Sequence, residues 1–452
     1  LEFRCRSPAQ IPLSEPQYLP PVELFDHIGK VAPEIASNLL DRVLGSPLDS
    51  RHMLPVLQHA QLISQSHLFV NNKLALLVDG PETYDAMLET IGKAESHIHL
   101  ETYVFASDSV GRRFRDALLE RLAHGIEVKL IYDSFGSFTS DPDFFQDLSE
   151  AGADILEWNP VNPLAGGNPV KLPFRNHRKL LIVDGDTAFT GGINITEDYS
   201  SSSSNPLPFS SGKRHESRYG WRDTHLRIDG SAVLEFQKMF IDTWNSKVEK
   251  ERQILDPSRY IDQDMGYEGK QLVRVMASEG GDLELSEVRA SYLDAITAAE
   301  RNIWITQAYF IPDNTFLEAL KAAVKRGVDV RLLLPGTSDS GLAINAARAH
   351  YSDLLRAGVQ IWETEETVLH AKTAVVDNVW STVGSSNLDS LSFFYNNEIN
   401  AIVIGQSFGK AMAERFLADI EISEQVQLDT WQRRPLIEKT KQFLSRTLKL
   451  IL

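Results

Sequence analysis

The sequence predicts an α/β protein made of two α/β/α sandwich domains related by a pseudo-twofold, with a helical amino-terminal extension and a carboxyl-terminal amphipathic helix. Three observations predict it. The chain has 452 residues, too many for one ordinary core and enough for two to four domains at roughly 100–200 residues each. An alternation of helical and strand patterns runs through the chain twice, element by element. One short pattern of His, Lys and Asp recurs 193 residues later with every position in register.

The elements follow in order. Residues 16–66 read as a helical preface: VELFDHIGKVAPEIASNLLDRVLG carries apolar residues at helical spacing, interrupted by Pro33, and RHMLPVLQHAQLIS follows. Residues 67–79, HLFVNNKLALLVD, read as two short strands around an Asn-Asn turn. Gly80 and Pro81 open the helix PETYDAMLETIGKAES. The first pass is then the strand 97–105, a helix over 111–125, the strand 127–133, a helix over 142–152 and the strand 155–158. The second pass is the strand 302–310, a helix over 313–327, the strand 328–336, a helix over 344–358 and the strand 359–363. Both middle strands are nearly continuous apolar runs, as expected where helices cover both faces. The expected boundaries are an extension over 1–66, domains over 67–255 and 256–425, and a tail over 426–452. The Ser-rich stretch 199–214 occurs only in the first half and reads as a mobile surface loop, either inert or a lid.

Composition narrows the function. With 45 basic against 62 acidic residues, the formal charge of −17 has the wrong sign for indiscriminate nucleic-acid binding, so a nucleic-acid partner is not expected. The single cysteine, Cys5, excludes a disulfide framework and a zinc–cysteine site. No run of 18 apolar residues occurs, so membrane contact is expected to be peripheral. The opening LEFRCRS lacks an initiating Met and reads as an added or processed end.

The chemistry lies in the repeat. The first copy, NHRKLLIVDGDTAFTGGINI, supplies His177, Lys179, Asp184, Gly191, Gly192 and Asn194; the second, LHAKTAVVDNVWSTVGSSNL, supplies His370, Lys372, Asp377, Gly384, Ser385 and Asn387. One His-x-Lys-x4-Asp match arises by chance in roughly one chain in thirty, two in register in about one in a thousand. His and Lys at i and i+2 of a strand share a face. If the halves converge, two imidazoles and two ammoniums surround one point and can grip a phosphoryl group without a metal, so no cofactor is expected. One imidazole can attack phosphorus while the other protonates the leaving alkoxide. Asp184 and Asp377 complete the candidate catalytic set, but their odd interval aims them away from the His face, so they are expected to support it. Gly192 and Ser385 would let backbone approach an anion, with Asn194 and Asn387 as hydrogen-bond donors to it. Each His needs an orienting carboxylate; Asp223 and Glu398, each opening the strand after its motif, are the candidates. A salt bridge to Arg222 or Arg227 is the competing role for Asp223.

These residues resemble the phospholipase D superfamily. The framing phrases LLVDGPETYDAML, HLETYVF, FRNHRKLLIVDGDTAFTGGINI, WRDTHLRIDG, LHAKTAVVDNVWSTVGSSNLD and NNE are similar to those of bacterial cardiolipin synthases over residues 67–420. The resemblance implies two α/β/α domains sharing one metal-independent site. It implies transfer of a phosphatidyl group from phosphatidylglycerol to the alcohol of a second phospholipid through a phosphohistidine. His177 is then the nucleophile and His370 the general acid/base, and Glu101 and Gln307, at matching strand positions, line the site. Longer members carry amino-terminal membrane helices that this sequence does not contain.

The tail, RRPLIEKTKQFLSRTLKLIL (433–452), has six basic residues and one acidic. Helical projection places Leu436, Ile437, Phe443, Leu444, Leu448, Leu450 and Ile451 on one face and Lys439, Arg446 and Lys449 on the other, as suits an anionic membrane surface; docking on the protein itself is the alternative. The expected place is the bacterial cell membrane, peripherally on the cytoplasmic side. Hydrolysis of phospholipid or nucleic acid by the same site, and a silent scaffold, are the competing functions.

Overall fold

The computed structural model describes residues 19–45, 50–161, 174–203, 220–248, 254–260, 269–281, 286–365 and 367–447. The preface contains β1 (Leu24–Phe25), α1 (Pro33–Leu44) and α2 (Leu54–Ile63). Pro33 opens α1 instead of interrupting a longer helix, because a first-turn residue needs no amide N–H. The stretch before it pairs in parallel with β2 (Leu68–Val78), Leu24 opposite Leu68. The two strands expected over 67–79 are therefore one. Asn71, at φ 60°, makes a bulge where pairing with the second half shifts register between Phe69 and Asn72.

The first half continues as α3 (Asp79–Gly92), β3 (His97–Thr102), α4 (Ser109–Ala123), β4 (Glu127–Asp133), α5 (Pro142–Glu150), β5 (Asp154–Trp158), β6 (Leu180–Val183), β7 (Thr187–Gly191), β8 (Thr224–Gly230) and α6 (Val233–Asn245). The second repeats it as β9 (Gln271–Ser278), α7 (Glu287–Ala298), β10 (Asn302–Gln307), α8 (Asn314–Lys325), β11 (Asp329–Pro335), α9 (Gly341–Arg348), α10 (Tyr351–Ala357), β12 (Gln360–Thr364), β13 (Lys372–Val376), β14 (Trp380–Gly384), α11 (Ser390–Phe394), β15 (Glu398–Ile404) and α12 (Gln406–Glu421). The helix expected over 344–358 is split at Ala349–His350, where His350 N–H bonds back to Ala347 O and tightens the turn. Then come β16 (Glu424–Gln425), α13 (Leu428–Gln432) and α14 (Leu436–Thr447).

One sheet runs through both halves in the order β16-β12-β11-β10-β13-β14-β15-β9-β2-β8-β7-β6-β3-β4-β5. Apart from the edge strand β16, this order is palindromic about the antiparallel β9–β2 pair, which is the signature of a pseudo-twofold. Side chains alternate between cores as the pleat requires: Leu180 and Ile182 join Phe236 and Phe240 of α6, whereas Leu181 and Val183 join Leu118 of α4. The core holding Leu180 also takes Val375, Val383, Ile399 and Met412 from the second half, so the halves share it. The preface packs on the far half. Leu40, Leu57 and Ala60 belong to the core of α7, α8 and β10, and His59 Nδ1 meets Asp294 Oδ2 at 2.5 Å.

Much of the Ser-rich stretch lies outside the described residues; Ser202 and Ser203, at its start, are held by Asp79 Oδ2. At the carboxyl end α14 packs on α9, with Ile437 exposed and Gln442 buried beneath Arg434. Residues 448–452, including Leu448, Lys449, Leu450 and Ile451 of the projected faces, lie outside the described residues. No described helix is long and apolar enough to cross a membrane.

Candidate active site

Both motifs begin just before their hairpins and cross to the other half there. His177 N–H donates to Asn397 O (2.9 Å), and His370 N–H donates to Arg222 O (2.8 Å). Two isolated bridges, Asn176 with Asn397 and Arg222 with Leu369, repeat that contact. Since Asn397 precedes Glu398 and Arg222 precedes Asp223, each bridge sets a carboxylate of one half against the imidazole of the other.

The pairing is crossed. Both Glu398 oxygens lie 3.0 Å from His177 Nδ1, and Asp223 Oδ2 lies 2.8 Å from His370 Nδ1. Neither arginine takes the Asp223 carboxylate: Arg222 forks onto Asp419 (3.0 and 2.8 Å), and Arg227 onto Asp229. A carboxylate accepting from Nδ1 puts the lone pair on Nε2, the ring nitrogen left for chemistry. His177 and His370 line one cavity of about 770 Å³, together with Asn194, Asn387, Tyr103 and Tyr199.

Burial governs the charges. It pushes the His177 imidazole down to about 4 against the pull of Glu398, so that ring is neutral at neutral pH. His370 is lowered as well, by burial and then by the Lys372 ammonium. Burial brings Lys179 down to about 7 and Lys372 to about 8. Lys372 Nζ lies 3.0 Å from His370 Nδ1, while Lys179 Nζ donates to His177 O (2.8 Å) and sits over the Tyr103 ring. Burial opposes ionisation of Asp223 and Glu398, but their histidines hold both carboxyls below the usual range.

The remaining predicted residues divide. Asn194 and Asn387 reach the cavity, and Asn387 Oδ1 has no hydrogen-bond partner among the described residues. Asp184 and Asp377 are corrected from the catalytic set. Each sits in a left-handed turn at the far end of its hairpin and caps the start of the neighbouring strand, Asp184 accepting from the N–H groups of Glu95, Ser96 and His97 and Asp377 from those of Glu300, Arg301 and Asn302. Gly192 and Ser385 are also corrected, since both touch orienting carboxylates instead of the cavity. A Cβ on Gly192 would lie 2.2 Å from Asp223 Oδ1, and Ser385 Oγ donates to Glu398 Oε2 (2.5 Å).

Glu101 and Gln307 do not line the cavity. Glu101 is fully buried and accepts from Asn176 Nδ2 (2.7 Å), so it braces the backbone beside His177. Nor do the two match. Glu101 opposes Leu180 in the ladder, and the residue corresponding to Leu180, Thr373, opposes Thr306, whereas Gln307 opposes Lys372. A slip of one residue turns a side chain to the other face of the sheet.

Several cavity residues lay outside the motif reading. Tyr199 OH lies 2.9 Å from His370 Nδ1, and Trp221 packs against the same ring. Tyr103 stands edge-on to His177. Asp339, Tyr309 and Asp389 come from loops of the second half. Tyr199 breaks the repeat, because the residue 193 positions later is Ser392; that mismatch was the available signal.

Residues 87–205 and 292–420 match the family described as "Cardiolipin synthase, PLD-like domain". The chain is 34% identical over 402 residues to a cardiolipin synthase of Geobacillus sp. (strain WCH70), covering 89% of this chain and 76% of that protein. It is 34% identical over 385 residues to the major cardiolipin synthase ClsA of Bacillus subtilis (strain 168), covering 84% and 76%. Among solved structures, phosphatidylserine synthase of Haemophilus influenzae Rd KW20 shares the fold at a TM-score of 0.63 and 13% identity, covering 87% of this chain and 98% of that one. With a family match over more than half its length and relatives of this identity along most of it, the chain belongs to the cardiolipin synthase family of phospholipase D-like proteins.

Proposed function

We propose that this protein is a phosphatidyltransferase that moves a phosphatidyl group from phosphatidylglycerol to the alcohol of a second phospholipid through a phosphohistidine. The observation that carries the reading is the crossed pair: two buried imidazoles on one cavity, each with Nδ1 on a carboxylate from the opposite half. His177 Nε2 attacks phosphorus as the bond to the glycerol oxygen breaks, and His370 gives its proton to the departing alkoxide. His370 then takes the proton of the incoming hydroxyl, whose oxygen attacks phosphorus as the P–N bond breaks, restoring His177. Lys179 and Lys372 offset charge on the nonbridging oxygens, and the asparagine side chains donate to them. A phosphodiester anion entering between them raises the proton affinity of His370 and prepares it as the acid.

The membrane of a bacterial cell, approached peripherally from the cytoplasm, is the place this reading assigns, with the basic tail at the lipid surface. The test supplies purified protein with phosphatidylglycerol vesicles and excess chelator and identifies the products. Cardiolipin with one glycerol released per cardiolipin is expected. Phosphatidic acid as the sole product would replace transfer by hydrolysis, and a strict divalent-ion requirement would overturn the role given to the lysines.

A further inference from the structure

The loops that follow β4 and β11 are equivalent under the pseudo-twofold, and both end at the cavity mouth. The first supplies Phe135 to the cavity lining and the second Asp339. Each then turns a large apolar side chain outward. In the first loop Phe135 is 53% and Phe138 69% exposed, the two joined by a turn in which Phe138 N–H bonds to Phe135 O. The turn is braced: Phe135 N–H is held by Asp133 Oδ1, Ser140 Oγ donates to Phe105 O (2.7 Å), and Gly136 packs on Tyr103 O with no room for a Cβ. In the second loop Ser340 caps α9, and Leu342 in its first turn is exposed. Helix α14 packs on α9, with Ile437 66% exposed.

Phe135 and Phe138 are the only phenylalanines among the strongly exposed large apolar residues of the described chain. Water does not favour a phenyl ring on a braced turn, and large apolar groups kept exposed beside a cavity mark a surface that becomes covered. Charge says by what. In a chain of net −17, the segment entering and forming α14 is basic, with Arg433, Arg434, Lys439 and Lys441 against Glu438, which complements an anionic surface. An aromatic and aliphatic rim beside basic residues is the chemistry of the bilayer interface, where ring and alkyl groups sit among acyl chains and cations meet phosphates.

We infer that the cavity mouth is a membrane-docking face, in which Phe138 and Leu342, with Phe135 and Ile437, enter the interface of an anionic phospholipid bilayer and bring the cavity against the lipid headgroups. The inference rests on the proposed phosphatidyl transfer and adds where and how the lipid surface is met. It also explains how a lipid phosphodiester reaches two buried imidazoles without leaving the membrane: only the headgroup need move into the cavity.

The test uses the whole chain and variants outside the cavity lining, Phe138→Ser and Leu342→Ser, alone and combined. Sedimentation with vesicles of phosphatidylglycerol and phosphatidylcholine in equal parts reads binding. Turnover is read on those vesicles and on dihexanoyl phosphatidylglycerol below its micelle concentration. The combined variant is expected to bind vesicles at least about a hundredfold less, as removal of two apolar groups that enter the bilayer implies, to lose vesicle turnover in proportion, and to keep turnover on the soluble lipid within about twofold. Unchanged vesicle binding would overturn the inference, as would loss of self-association with vesicle binding intact, which would assign the face to a second copy of the chain. Failure of the underlying reading looks different, since wild-type protein would then bind vesicles and turn over neither lipid.

Discussion

At the scale of single residues, the two imidazoles of the candidate site differ in surroundings although their motifs repeat. Among the described residues, His177 Nδ1 meets Glu398 alone, whereas His370 Nδ1 meets Asp223, Tyr199 and Lys372. His177→Ala and His370→Ala are each expected to lower turnover by at least about 10³-fold while leaving thermal unfolding nearly unchanged; near-normal activity in either variant would refute the two-imidazole mechanism. The pH dependence follows from the lysines and His177. An ammonium is charged below its pKa, so with Lys179 at about 7 and Lys372 at about 8 the anion-binding charge of the free enzyme disappears as pH rises through that range. Acidification protonates His177, the proposed nucleophile, only as pH approaches about 4. In a chemistry-limited assay kcat/KM should therefore fall between pH 7 and pH 9, and a profile still rising at pH 9 would contradict it. The same histidine affects stability. Its folded pKa lies below the unfolded value near 6.5, so the unfolded chain binds the extra proton and stability is lost as pH falls from about 6.5 towards 4.

At the scale of elements, the hairpins β6–β7 and β13–β14 each carry the proposed reactive groups at one end and architecture at the other. At the near end, Gly192 leaves space that the Asp223 carboxylate fills. Gly192→Ala would displace that carboxylate from His370 Nδ1, so kcat is expected to fall about 100-fold with a modest loss of melting temperature; wild-type kcat would show that Asp223 does not orient the ring. At the far end, Asp377 is wholly buried and takes three backbone N–H groups and His52 Nε2 (2.6 Å). Asp377→Ala should cost on the order of 2–3 kcal/mol in urea unfolding, with kcat below the melting transition kept within about threefold. A large fall in kcat without destabilisation would return Asp377 to the chemistry. The spacing of the motif is thus two functions on one hairpin: i and i+2 for the site, and a left-handed turn at the aspartate for the joint with the neighbouring strand.

At the scale of the whole molecule, the halves are joined by the continuous sheet, by a shared core and by charges buried at the seam. Arg222 forks onto Asp419 of α12, and its carbonyl holds His370 N–H. Asp419→Ala would leave a buried guanidinium short of its partner and is expected to cost roughly 3–5 kcal/mol. Activity should fall with it, because the backbone that loosens also carries Asp223. Loss of stability with full activity in the remaining folded fraction would separate the seam from the site.

The sequence by itself determined the repeated α/β order, the pairing of His177 with Lys179 and of His370 with Lys372, the two carboxylates, and the family. Those features are legible along the chain: hydrophobic period, strand alternation and His-x-Lys spacing each act over a few residues, and the offset of 193 matches one copy to the other. The tertiary structure alone decided that the carboxylates cross between halves, since Asp223 and His370 are 147 residues apart and meet where the halves join, beside the bridge of Arg222 with Leu369. It also decided that the preface packs on the distant half, that Tyr199 joins His370, and that Glu101 braces Asn176 beneath the site. Apart from the break in the repeat at Tyr199, none of these contacts has a period or a spacing to betray it, because packing in three dimensions chooses neighbours by shape and unpaired polar groups, not by separation along the chain.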